Sequence, residues 1–212
     1  MQAGERQDNE TRLLVGAGTG LGVAWLSWYE GAYLVHPSEA GHMDFATADK
    51  TQDLLLQYMR HRHDHVSYER IVSGPGLLAI FDFMRETGIA VPSASMLAAI
   101  GKEDAAEVIT RYSQRGDEEI ARMTVDLFLS VYGAFVGNMA LAVLPRGGIY
   151  VGGGIAAKIS AQMQGSEFMQ ALLRKGRHAG MLGKLPVNII LNVNVGLIGA
   201  SKYARTNPQR FQ

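Results

Sequence analysis

Two glycine-rich strings have the composition to hold phosphate: Gly16-Ala17-Gly18-Thr19-Gly20-Leu21-Gly22 and Gly152-Gly153-Gly154, each following a short apolar run. Glycine lacks the Cβ that keeps a main chain away from a ligand, so successive backbone N–H groups can cradle phosphate oxygens, and Thr19 adds a hydroxyl donor. No Gly-Lys-Ser/Thr closes either string, so the Walker pattern is absent, and for each string alone a tight turn is the competing reading, a stronger one for the second string than for the first. Taken as a pair they point to a nucleotide.

Between the strings, Pro37-Ser38-Glu39-Ala40-Gly41-His42-Met43-Asp44-Phe45 puts two carboxylates and an imidazole within six residues of turn-forming chain. A small hydroxylated ligand needs such convergent donors and acceptors, because each unpaired polar group buried in a site costs about 1–3 kcal/mol. A sugar fits that demand. Glu69, shortly before Ser73-Gly74-Pro75-Gly76, is a third candidate, although the sequence alone favours a surface helix residue there. Asp44 has the chemistry of a general base beside a sugar loop. His61, His63 and His65 invite a metal reading, but spacing of two does not share a helix face, and a solvated helix end is expected there instead.

Periodicity supplies the elements that must position these residues. A strand is expected over 13–15, running into the loop 16–22; a second over 23–29 and a third over 32–35 flank Glu30-Gly31 at hairpin spacing. Helices are expected from Lys50, where Asp49 and Gln52 suit a capping box, and from Pro75, ending near Gly88. Two more follow over 93–99 and 103–114. A long apolar helix over 117–144 has Asp117, Glu118 and Glu119 at its favourable dipole end and stops at Pro145. Its stretch 125–144 approaches membrane-span length but carries Asp126, Ser130, Asn138 and two glycines, so a buried core helix is expected. Strands over 148–151 and 187–191 and a helix from about 197 complete an α/β pattern.

The chain has 212 residues, twenty Lys+Arg against twenty Asp+Glu, and no Cys. A net charge of zero gives no basic footprint for nucleic acid. Without cysteine there are no disulfides or zinc-thiolate sites, which agrees with a reducing compartment, and the polar leader 1–11 lacks the apolar stretch of an export signal. A cytoplasmic protein is the expectation.

GAGTGLG at 16–22, PSEAGHMDFA at 37–46, ERIVSGPGL at 69–77 and GGIYVGGGIAAKI at 147–159 resemble, in that order, successive blocks of the bacterial-type glucokinase family. The resemblance implies a ribonuclease H-like, actin-like ATPase lobe with a mixed β-sheet and flanking helices. It also implies phosphoryl transfer from ATP, with Mg2+, to the 6-hydroxyl of glucose. On that pattern residues 12–212 are the larger domain, with the helix from about 197 packing toward a smaller lobe. Gly16, Gly18, Thr19 and Gly20 match the phosphate-binding loop, and Gly153 and Gly154 the pair beside the adenosine. Glu39, His42 and Glu69 match the residues that bond the sugar hydroxyls that are not phosphorylated. The partners implied are glucose and ATP, with no nucleic acid and no membrane; a homo-oligomer stays open.

Ser38 and Ala40 stand where the family usually has glycine. The family's Asp-x-Gly-Gly-Thr turn and its Asn-Asp-Phe segment, whose Asp is the general base, precede the GAGTGLG block, and neither string occurs in this chain. The expectation is therefore a chain lacking most of the smaller lobe, with no catalytic base and no turnover of its own. The matching pattern gives Asp44 a loop-organising role instead. A degenerate sugar- or nucleotide-binding or regulatory module is the alternative.

Overall fold

Burial alternates along β1 (Arg12–Ala17): Leu13, Val15 and Ala17 are fully buried, whereas Leu14 between them is 37% exposed. That period of two gives the sheet one core face and one open face. The computed structural model describes residues 1–164, 167–192 and 194–206, and 207–212, the end of the expected large domain, lie outside them. β2 (Leu21–Tyr29) and β3 (Ala32–Ser38) follow as antiparallel neighbours; β4 (Gly148–Gly152) and β5 (Val187–Ile189) run parallel to β1, in the order β3-β2-β1-β4-β5.

The first glycine string is a hairpin, not a strand followed by a loop: Gly16 pairs with Gly22 and Ala17 with Leu21, so only 18–20 turn. At the second hairpin Glu30 and Gly31 both have positive φ, 46° and 85°, which the twist of a two-residue loop demands.

Ten helices are described. Asp49 caps α1 (Lys50–Arg60) by accepting from Gln52 N at 3.0 Å, as its spacing predicts. Ser73 caps α2 (Gly74–Glu86), with Pro75 in its first turn. α3 (Ala94–Ile100) and α4 (Ala105–Arg115) start at Ser93 and Asp104 caps, and Gly116 ends α4 with φ 77°. α5 (Glu119–Val143) is the spine of the core. It is long and apolar enough to cross a membrane, yet it lies buried against the sheet and three helices, and the Tyr132 hydroxyl donates to Val15 O at 3.3 Å.

Past β4 come α6 (Gly154–Lys158), α7 (Ser160–Met163), α8 (Glu167–Leu173) and α9 (Ala179–Leu182), then α10 (Val195–Thr206). α8 packs closely on α5 because Gly133 and Gly137 leave room for its backbone; a Cβ at Gly133 would overlap the Phe168 carbonyl. Gly133→Ala should therefore destabilise the fold by about 3 kcal/mol and lower Tm by about 6–12 °C, read by thermal unfolding. An unchanged Tm would mean that the two helices separate at little cost.

One expectation changes: β5 ends at Ile189 rather than 191. The polar leader is tied to the domain: Gln2 exchanges backbone bonds with Val187 at 3.2 and 2.9 Å, and Glu5 N donates to Lys184 O at 2.7 Å. The Gln2 side-chain amide adds to this by donating to Leu182 O and Leu185 O at 3.1 and 2.6 Å. On the open face, α10 presents Gly196, Gly199 and Ala200 toward Gly16, Gly22 and Gly152 across an apolar groove, and leaves Leu197 and Ile198 exposed.

Candidate functional site

The turn 18–20 is held from two sides. Gly18 N donates to Gly20 O at 2.8 Å, closing the turn, and Gly18 O accepts from Gly74 N at 2.8 Å, joining it to the first residue of α2. Ser73 Oγ accepts from Gly76 N at 3.1 Å and fixes that helix end. Beside the turn opens a cleft of about 600 Å³. Its walls are Gly18 and Thr19, the first turns of α2 and α4, and α6 through Gly154, Ile155 and Lys158. The lining is largely apolar, as a base requires, and the N-terminal ends of α2 and α4 turn the positive ends of their dipoles to it, which suits an anion.

The glycines divide by what the fold asks of them. A Cβ on Gly18 or Gly154 would meet nothing within 4 Å, so space, not folding, is what these two provide. Gly153, at φ 90°, is a backbone necessity, since a Cβ there would overlap the Ala17 carbonyl. Gly18, Thr19 and Gly154 thus line the cleft, whereas Gly16 and Gly153 line the groove on the open face of the sheet and Gly20 lies beneath Glu69.

The three residues matched to the sugar hydroxyls converge. A short 3-10 turn, Ala40–His42, starts where Ser38 Oγ accepts from Ala40 N at 2.9 Å, so the serine braces the loop. Gly41 packs on the Leu21 carbonyl too closely for any side chain. Backbone bonds from Phe45 to Val66, Tyr68 to Met43 and Glu69 to Gly41, at 2.9, 3.0 and 2.9 Å, zip this loop to the segment that carries Glu69. His42 Nε2 then lies 3.9 Å from Glu39 Oε2 and 3.7 Å from Glu69 Oε1. Those separations exceed hydrogen-bond length, so polar atoms of all three stay open to a ligand.

Glu69 also faces the turn 18–20. Its Oε2 accepts from Leu21 N at 2.8 Å, and a Cβ on Gly20 would stand 2.5 Å from that oxygen. One three-residue turn thereby touches the cleft through Gly18 and the Glu69 carboxylate through Gly20.

Asp44 is exposed and its carboxylate is engaged by His65 Nε2 at 2.9 Å. Its backbone bridges to Ser67, which ties the loop together. His61, His63 and His65 form no ligand set, and among the described residues no three His, Asp or Glu side chains gather to hold a metal ion. Sequence reasoning missed the α4 wall and the Lys158–Glu107 ion pair that spans the cleft between α6 and α4. Lys158 stood in a matched string, but no spacing rule sets it opposite a helix some fifty residues earlier.

A family model described as glucokinase matches residues 1–207. The chain is 39% identical over 214 residues to a glucokinase of Trichormus variabilis, an alignment covering 95% of this chain and 63% of the relative. A crystal structure of a glucokinase from an Antarctic psychrotroph superposes with TM-score 0.81 at 30% identity, over 94% of this chain and 59% of that one. A ROK family glucokinase from Streptomyces griseus, solved with glucose and AMPPNP, superposes with TM-score 0.63 at 17% identity, over 94% of this chain and 62% of that one, a likeness of fold. The chain thus spans about 63% of the length of the curated relative it matches.

Proposed function

The chain belongs to the glucokinase family, and from that premise we propose that it carries the glucose and ATP sites of an enzyme that phosphorylates glucose at its 6-hydroxyl. Its five-stranded mixed sheet with flanking helices is the actin-like ATPase lobe of sugar kinases. The observation that carries the proposal is the shared turn: Gly18 borders the cleft while Gly20 and Leu21 support Glu69. Two ligands seated on either side of three residues are close enough to react, which is the positioning that phosphoryl transfer chiefly requires.

In this reading the cleft takes ATP, with its phosphates at Gly18, Thr19 and the α2 terminus and its base along Leu77, Leu78 and Ile155. Glu39, His42 and Glu69 hold the hydroxyls that do not react. The 6-oxygen bonds to the γ-phosphorus as the bond to the ADP oxygen breaks, and the hydroxyl proton passes to a carboxylate. This chain's role is binding and orientation, because the family's base-bearing Asn-Asp-Phe string does not occur in it. Mg2+ enters on the nucleotide, where it offsets phosphate charge, rather than in a protein cage. The reading places the protein in the cytoplasm and has a further lobe covering the open face beside α10.

Gly18→Val tests the nucleotide half. Because a side chain there enters open space, circular dichroism should be unchanged while ATP affinity falls at least about 100-fold through occupation of the phosphate position. Normal ATP binding by the folded variant would refute the phosphate-turn reading.

A further inference from the structure

Asn138 lies on the exposed edge of α5, and both ends of its amide are engaged. Its Oδ1 accepts from Lys175 Nζ at 2.7 Å and its Nδ2 donates to the Tyr68 hydroxyl at 3.0 Å. That hydroxyl lies 3.4 Å from Ala46 O, to which it donates. These bonds do not run to the triad side chains, yet both ends of their support are reached: Ala46 follows the loop holding Glu39 and His42, and Tyr68 immediately precedes Glu69.

The direction of every bond in this chain follows from one residue. An ammonium only donates, so Lys175 fixes which end of the Asn138 amide faces it. The NH₂ must then face Tyr68, whose oxygen accepts and whose single proton is left for Ala46. Tyr68 is held for this task between Phe45 and Phe135, with ring centroids at 5.7 and 4.6 Å. Burial pushes its hydroxyl pKa up, with the Ala46 and Asn138 bonds partly opposing, so it keeps its proton. Lys175 is held too: its stem crosses Gly137, where a Cβ would come 2.7 Å from Cε.

We propose that Lys175 and Asn138 are positioning residues for the sugar site, orienting the Tyr68 hydroxyl onto the Ala46 carbonyl so that the Glu39–His42 loop is locked to the Glu69 segment. This rests on the glucose-binding reading of the triad.

Asn138→Asp separates positioning from plain structural support. It keeps a partner for Lys175 and adds an ion pair, so a supporting role predicts a Tm equal to or above the parent's and unchanged sugar affinity. A carboxylate only accepts, however, and it takes the Tyr68 proton away from Ala46. The relay therefore predicts about fivefold weaker glucose binding by calorimetry, the worth of one hydrogen bond, without loss of Tm. It also predicts faster amide exchange at Phe45, Tyr68 and Glu69 but not at Gly74, and unchanged ATP affinity. Tyr68→Phe should show the same loop phenotype, and Tyr68→Phe with Asn138→Asp should be no worse than Tyr68→Phe alone. Parent-like exchange and affinity in Asn138→Asp, or additive losses in the double variant, would overturn the relay. Should the parent bind no glucose, the sugar reading fails by itself, and the exchange rates still decide whether the relay holds the loop.

Discussion

Purified as these 212 residues, the chain is expected to transfer no measurable phosphate from ATP to glucose, however well it folds. The attacking 6-hydroxyl is weakly acidic, and a positioned base typically contributes about 10²- to 10⁴-fold. Closure of a second lobe over the phosphates adds orientation and water exclusion. Asp44 is the nearest carboxylate in sequence to the sugar loop not already assigned to glucose, and it is committed to His65. A coupled assay for glucose 6-phosphate reads the outcome. Turnover should appear when a polypeptide bearing the Asn-Asp-Phe segment of a glucokinase relative is supplied. Turnover near about 10 s⁻¹ by the chain alone, abolished by Asp44→Asn, would instead make Asp44 the base. Leu14, Trp28 and Val35 exposed on the open face of the sheet, with Leu197 and Ile198 exposed on α10, make self-association at high concentration a companion expectation.

Glu69→Ala should weaken glucose binding about 10- to 100-fold, the range for a hydrogen bond to a charged group. The same variant should also weaken ATP, by a smaller factor. Truncation leaves Leu21 N without its acceptor and removes the carboxylate packed on Gly20, so the turn that borders the cleft loosens. Glu69→Gln keeps an oxygen for Leu21 N and should spare ATP while still weakening glucose. Calorimetry with both ligands on both variants separates the two contacts. Equal loss of ATP affinity in Glu69→Gln and Glu69→Ala would show that the Leu21 bond does not support the turn.

Local chemistry was readable where one residue dictates a backbone state. Asp49 before Gln52, Pro75 after Ser73-Gly74, and Glu30-Gly31 between apolar runs each marked a boundary the structure keeps within a residue or two. What stayed hidden depends on partners distant in the chain. α8 is seven residues long, too short for its period to stand out, and its place against α5 is set by Gly133 and Gly137 some thirty residues earlier. The leader is tied by backbone groups and by the Gln2 amide to partners at the far end of the chain, which no local pattern reveals. Glu69 shows the same limit within the site, since the sequence alone favoured a surface helix residue, whereas the residue lies in a turn before α2. Only the resemblance grouped it with Glu39 and His42, and only the fold reveals its second bond to Leu21 N. Among the glycines, sequence alone could not tell Gly153, which the backbone requires, from Gly154, which leaves space.

The central claim is that Glu39, His42 and Glu69 form a glucose site beside a nucleotide cleft, and calorimetric titration of glucose into the parent chain and into Glu39→Gln and His42→Ala tests it most directly. The parent should bind, and each variant should lose about tenfold or more, because a ligand hydroxyl is left without its partner. ATP affinity should be the same in all three, since neither side chain lines the cleft. Absence of glucose binding by the parent, or equal glucose affinity in the parent and both variants, would contradict the account.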